Sequence, residues 1–138
     1  MHEFTTERRI EFIDTDMGGI VHFSRYFVFM ETAEHLMHEA LGTSVDTEVD
    51  GRRVGWPRVS ATCDYRSPAR FGDVLRIDVR VLRKGTKSMT FGFRFSVDGR
   101  EVAEGRMTSV CCELQPGRDV LAIPIPDSIA NLFEEAPD

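Results

Sequence analysis

A chain of 138 residues, 41% hydrophobic and 29% charged, has the makeup of one globular domain with a sizeable core, so a single domain over 1–138 is expected. The net charge of −6 weighs against DNA or RNA binding, which needs a basic face, and against docking on anionic lipid, while leaving room for one local basic pocket. No apolar run is long enough for a signal core or a membrane span, and Cys63, Cys111 and Cys112 show no C-x-x-C spacing, so they read as free, mostly buried thiols in a cytoplasmic protein.

Residues 4–13 hold β-compatible types and predict a first strand. Residues 14–23, DTDMGGIVHF, carry two aspartates and two adjacent glycines, which predicts a loop with an unusual backbone path. Ser24 is placed to cap a helix of roughly eighteen residues that Gly42 ends. Along it Tyr26, Phe29, Met30, Ala33, Leu36, Met37 and Ala40 recur at three- and four-residue spacing, with Glu34, His35, His38 and Glu39 mainly on the other side. So wide an apolar stripe needs a large concave partner.

The remaining chain supplies one. Val59, Ala61, Cys63 and Tyr65 alternate with polar residues, as do Leu75, Ile77, Val79 and Val81, and then Met89, Phe91, Phe93, Phe95 and Val97. Period two of this quality predicts strands with one buried face. Lys84-Gly85-Thr86 makes a turn, Asp98-Gly99 signals a hairpin, and a further strand covers about residues 101–113. Pro124 and Pro126 precede a short terminal helix carrying Ile129, Leu132 and Phe133. The expected fold is α+β: a five-stranded antiparallel sheet wrapped around one long central helix. The sheet's exposed edge invites pairing with a second copy, so at least a dimer is expected.

Chemistry is expected where the Asp/Gly loop runs into the helix. A helix N-terminus offers unpaired N–H groups and the positive end of a dipole, which stabilise a developing oxyanion. A carboxylate on the preceding loop would reach the same reacting carbon, the minimum equipment for acyl transfer. From pattern alone, Asp14 and Asp16 serve equally as turn residues that complement the dipole.

The run EFIDTDMGGIVHFSRYFVFMETA resembles the signature of the 4-hydroxybenzoyl-CoA thioesterase family of hot-dog-fold proteins, through Asp14, Asp16, Gly19, Ile20, Val21, His22, Phe23 and Tyr26. The segment CDYRSPARFGDVLRIDV is similar to a second family block, carrying Tyr65, Pro68, Gly72, Asp73 and Leu75. The resemblance spans about residues 5–115. It implies an acyl-CoA thioesterase with Asp16 as catalytic carboxylate, the Phe23 N–H polarising the thioester carbonyl, and Asp14 supporting the loop. It implies substrate contacts at Gly19, His22, Tyr26 and Glu31, with an aromatic acyl group slightly preferred. His22 also resembles its counterpart in thioesterases acting on 1,4-dihydroxy-2-naphthoyl-CoA; it either orients substrate or water or packs as an amphipathic ring. Glu31 either meets a polar substituent or pairs with His35 on the helix surface.

As a carboxylate, Asp16 is a weak base, but an alkyl thiol with a pKa of about 8.5 leaves a thioester with little acid assistance. Asp16 attacks the carbonyl to form an anhydride, or activates water; both routes stay open. The anionic coenzyme needs local positive charge. Arg83, Lys84 and Lys87 flank one turn and are the first choice, with Arg52, Arg53 and Arg58 as a second group. His35 and His38 lack a further ligand, so neither a metal nor another cofactor is implied. The expected assembly is a homodimer or homotetramer. The rival readings are a hot-dog module that binds acyl-CoA without turnover, which would have no need of Asp16, and a thioesterase acting on acyl carrier protein, which would need a basic docking surface.

Overall fold

Three long strands that alternate large apolar with polar residues, and one helix with a matching stripe, set the frame of the computed structural model, which describes residues 1–117 and 119–138. The elements are β1 (Glu3–Arg9), a 3-10 turn (Phe12–Asp14), α1 (Arg25–Ala40), β2 (Thr47–Val49), β3 (Arg52–Gly55), β4 (Arg58–Tyr65), β5 (Val74–Lys84), β6 (Ser88–Val97), β7 (Arg100–Val110), β8 (Cys112–Glu113), β9 (Leu121–Ala122) and α2 (Asp127–Ala130). The main sheet has the order β1-β5-β6-β7-β4, antiparallel throughout. Its inner face buries Leu75, Ile77, Val79 and Val81 of β5 and Met89, Phe91, Phe93 and Phe95 of β6 against Phe29, Met30, Ala33 and Met37 of α1. This is the expected hot-dog arrangement of a five-stranded sheet around one helix.

Several expectations need correction. The first strand stops at Arg9 instead of running to residue 13. Glu11 and Asp14 cap each other's backbone across a 3-10 turn, which throws Phe12 and Ile13 outward, 80% and 74% exposed. The helix has 16 residues, shorter than expected, and Gly42 follows it at φ +78°. Ser24 occupies the N-cap, but its hydroxyl makes no capping bond and pairs with His22 Nδ1 at 2.8 Å. Two residues assigned to the helix's polar side, Glu34 and His38, are buried. The causes are partners that no periodicity announced. Arg58 of β4 pairs with Glu34, and His38 meets Trp56, Phe91 and, from the C-terminal segment, Phe133. A second sheet has the order β2-β3-β8-β9.

The strand expected over 101–113 is broken at Cys111, whose N–H turns aside to the Lys87 carbonyl at 2.7 Å. β4 forms where predicted but lies at the sheet edge beside β7, so Val59, Ala61 and Tyr65 are exposed instead of buried. Asp98-Gly99 makes the expected hairpin turn with both residues at positive φ, 49° and 80°. Cys111 and Cys112 are buried, Cys63 is half-buried, and all three are free. Among the described residues, no helix is long and apolar enough to cross a membrane.

Candidate active site

Asp14 anchors the loop that leads into α1. Its buried carboxylate accepts the Glu11 N–H at 2.9 Å and the Arg25 Nε at 2.9 Å, with Arg25 Nη2 at 2.8 Å and Arg8 Nη2 at 3.6 Å. Its carbonyl accepts the His22 N–H at 2.8 Å. Between these fixed points the chain doubles back: the Asp16 N–H donates to Ile20 O at 2.9 Å and the Gly19 N–H to Asp16 O at 3.0 Å. Gly19 sits at φ +77°, a conformation that side chains disfavour. The tip therefore presents Asp16 to solvent, with one carboxylate oxygen held by the Gly18 N–H at 2.8 Å. The second oxygen has no partner among the described residues.

Asp16 borders a groove of about 510 Å³. Val21, Tyr26 and Tyr65 give it an apolar, aromatic wall, and Phe23, Arg66 and Arg70 complete its rim. The Val21 N–H donates to Ala69 O at 2.9 Å, which ties the aspartate loop to the turn after β4. The Tyr65 hydroxyl donates to Phe23 O at 2.9 Å and fixes the backbone just before the helix. The Phe23 N–H has no acceptor among the described residues, and the helix N-terminus lies two residues on. Asp16, with its exposed carboxylate, and Phe23, whose N–H is unbonded, both border this groove, and a carboxylate and a free N–H are the groups that handle a carbonyl carbon and its oxygen. Burial pushes the Tyr26 hydroxyl up to about 12 and the Cys63 thiol up to about 11. Both stay protonated at neutral pH, so neither competes as an anionic nucleophile.

Asp16, Phe23 and Tyr26 thus come together, with Gly19 in the loop that carries Asp16. His22 does not join the groove lining; its ring stacks on Phe23 with centroids 4.6 Å apart and its Nδ1 lies 3.3 Å from the Ser24 N–H. Glu31 is exposed on α1, lines no part of the groove and makes no ion pair with His35. Arg83 and Lys87 are exposed at the β5–β6 turn, whereas the groove adjoins the other end of β5, roughly 33 Å away at about 3.3 Å per residue. Lys84 is committed elsewhere: its amine donates to the carbonyls of Ala130 at 3.1 Å and Phe133 at 3.0 Å. In the second cationic group Arg53 pairs with Asp46, Arg52 lies 3.9 Å from Glu113, and Arg58 pairs with buried Glu34.

The cations that do face the groove, Arg66 and Arg70, were not singled out by local charge density. Their signal lay in the block around Pro68, which they flank, together with its Gly72-Asp73 turn. Asp73 accepts the Arg70 N–H at 2.8 Å, and Ile20 bridges to Arg70.

The sequence profile of the thioesterase-like superfamily matches residues 10–133. A 1,4-dihydroxy-2-naphthoyl-CoA hydrolase of Synechococcus elongatus is 27% identical over 139 aligned positions, covering 100% of both chains. A gentisyl-coenzyme A thioesterase of known structure is 29% identical, with a TM-score of 0.83 over 95% of this chain and 100% of that one. A 4-hydroxybenzoyl-CoA thioesterase in complex with 4-hydroxybenzoyl-CoA has a TM-score of 0.85 at 23% identity, over 96% of this chain and 99% of that one, a likeness of fold.

Proposed function

The chain belongs to the thioesterase-like superfamily, and on that premise we propose that it hydrolyses the thioester of an aromatic acyl-CoA at the groove between the aspartate loop and β4. The observation that carries this reading is the pairing of an exposed carboxylate, Asp16, with the vacant Phe23 N–H on the rim of one groove. The aromatic wall of Tyr26 and Tyr65 suits a flat acyl group, and the substrates in the names of the relatives are aromatic acyl-CoAs.

In this mechanism the thioester carbonyl oxygen accepts the Phe23 N–H, and the positive end of α1 favours the charge that develops there. Asp16 either adds to the carbonyl carbon, giving a mixed anhydride that water opens, or takes a proton from the water that adds. The thiolate of coenzyme A leaves in either route and takes up a proton from solvent. Gly19 lets the loop approach the substrate closely, Tyr26 walls the acyl group, and His22 braces the Phe23 turn. Arg70, which makes no ion pair among the described residues, meets negative charge on the substrate within the protomer, while Arg66 beside it lies 3.9 Å from both Glu101 and Glu104. Arg83 and Lys87 reach the coenzyme only from a second subunit, and Glu31 likewise serves an acyl substituent only across a subunit boundary. The exposed outer edge of β4 is the surface through which two copies pair.

Thiol release from aromatic and aliphatic acyl-CoAs tests the reading, with the native chain and Asp16→Asn side by side. The aromatic panel is turned over by the native chain, and kcat falls by about 10²–10⁴-fold in the variant. Its melting temperature stays unchanged, because the Asp16 side chain is exposed. Undiminished turnover in a folded Asp16→Asn protein would remove Asp16 from the chemistry. Binding without turnover by the native chain would make the protein a carrier of acyl-CoA.

A further inference from the structure

His22 lines no part of the groove, yet its backbone and one ring nitrogen are all engaged in the turn that leads into α1. Its N–H donates to Asp14 O at 2.8 Å, and its carbonyl accepts the Arg25 N–H at 2.9 Å. Its Nδ1 accepts the Ser24 N–H at 3.3 Å and lies 2.8 Å from the Ser24 hydroxyl. Ser24 already has helical dihedral angles, φ −70° and ψ −23°. With the Arg25 N–H closing a turn on His22 O, the helical path begins at Phe23, and His22 stands where a capping residue stands. An Asn, Asp or Ser cap accepts an N–H of the first turn with a side-chain oxygen. Here an imidazole nitrogen takes that part.

The peptide plane fixes the direction of the Ser24 N–H, so Nδ1 must offer it a lone pair, and the ring proton sits on Nε2. The Ser24 hydroxyl donates to the same nitrogen, which is why it makes no capping bond of its own. We infer that His22 is a positioning residue: a neutral imidazole, protonated on Nε2, that caps α1 and thereby aims the Phe23 N–H. The His22 carbonyl and the Phe23 N–H belong to one rigid trans peptide and point in opposite directions. The carbonyl is drawn into the helical turn by the Arg25 N–H, so the Phe23 N–H is turned out of it. His22 thus occupies the N–H groups of Ser24 and Arg25 and leaves that of Phe23 for a ligand oxygen. The role rests on the thioesterase reading, in which the Phe23 N–H meets the thioester carbonyl. It requires an acceptor at the place of Nδ1 and no contact between His22 and substrate.

Two variants test it against the native chain. His22→Phe keeps a ring to stack on Phe23, where the centroids lie 4.6 Å apart, and removes the acceptor. His22→Asn supplies an acceptor, Oδ1, without the ring. On the aromatic acyl-CoA that the native chain hydrolyses fastest, kcat is expected to fall roughly fivefold in His22→Phe at constant KM, and His22→Asn to regain most of that loss. The melting temperature of His22→Phe falls below those of the other two. Nitrogen-15 spectra of the neutral histidine rings, with the His22 signals identified by their absence from His22→Asn, show its proton on Nε2. A proton on Nδ1 overturns the inference, since that nitrogen could not accept the Ser24 N–H. An undiminished kcat in His22→Phe overturns it as well. So does a His22→Asn as slow as His22→Phe, which would make the ring and not its acceptor the part that matters. A KM raised in both variants would make His22 a substrate contact instead. If the native chain releases thiol from no acyl-CoA, the thioesterase reading fails and the positioning role fails with it. The tautomer and the order of melting temperatures then decide whether the cap itself stands, independently of turnover.

Discussion

Tyr65 spans from the end of β4 to the carbonyl of Phe23, and through that one bond it braces the backbone at the entrance to α1. On the proposed function it acts as a positioning residue as well as part of the groove wall. Tyr65→Phe keeps the ring and its edge contact with Tyr26, whose centroid lies 5.5 Å away, and deletes only the donor. A net hydrogen bond is worth about 1 kcal/mol, so kcat is expected to fall roughly fivefold. If the bond acts by position alone, KM for an aromatic acyl-CoA stays constant in steady-state kinetics. A rise in KM with constant kcat would instead mark the hydroxyl as a substrate contact. At this scale the sequence was legible where the candidate site sits on neighbouring residues. Asp16, Gly19 and Phe23 occupy one short loop, and their spacing before a helix points to the chemistry proposed for them. Tyr65, Arg66 and Arg70 reach that loop through pairings between distant segments, such as Ile20 with Arg70, which no local spacing encodes. Local charge density pointed instead to Lys84, whose amine holds the C-terminal carbonyls.

Gly105 of β7 is a point of close approach between the sheet and the helix. A Cβ there would lie 2.0 Å from Met30 Cε and 2.8 Å from its Sδ, with the Thr62 carbonyl at 3.3 Å. Met30 is fully buried, so it has little room to withdraw. Gly105→Ala should therefore destabilise the protein by about 1–3 kcal/mol through overpacking. Adding Met30→Ala should recover part of that loss, so that urea unfolding finds the double variant less destabilised than the sum of the singles. Strict additivity would place the strain elsewhere. Elements with sustained period-two alternation, β5 and β6, were readable together with their buried faces. β4 was readable as a strand but not as an edge, because alternation reports a strand's own faces and says nothing of its neighbours. The strands of the second sheet are two to four residues long, too short to show any period. Their one local sign was Asp50-Gly51, both at positive φ, 51° and 75°, the same dipeptide that announced the turn at Asp98-Gly99.

The two chain ends close the end of the fold opposite the groove. The Glu134 N–H donates to Met1 O at 3.0 Å and the Ala136 N–H to Val81 O at 2.8 Å, while Phe133 is buried against His38 and Phe91. Beside this closure the C-terminal half of α1 is out of water at Glu34, Met37 and His38. Glu34 sits there with Oε1 3.1 Å from Arg58 Nη1 and Oε2 2.7 Å from Arg58 Nη2, and Arg58 also donates to Ser109 Oγ at 2.7 Å and Trp56 O at 3.2 Å. Burial pushes the Glu34 carboxyl up from 4.5 to about 7; Arg58 pulls it down, and Glu31 adds a smaller upward push. Burial also pushes His38 below its ordinary value, against the bond between its Nδ1 and the Glu34 carbonyl. A folded-state value above the unfolded one means that the Glu34 contribution is fully present below about pH 4.5 and is lost as pH rises through about 7. Glu34→Gln removes that dependence and keeps the shape. Melting temperatures of both proteins across that range should show the native chain losing ground to the variant as pH rises, with the difference level above about pH 8. His38 loses its stabilisation at the acidic end in both proteins and largely cancels from the comparison. A difference that stays constant from acid to neutral pH would mean that Arg58 offsets the burial of Glu34 in full, leaving the carboxylate charged in the fold as it is in the open chain.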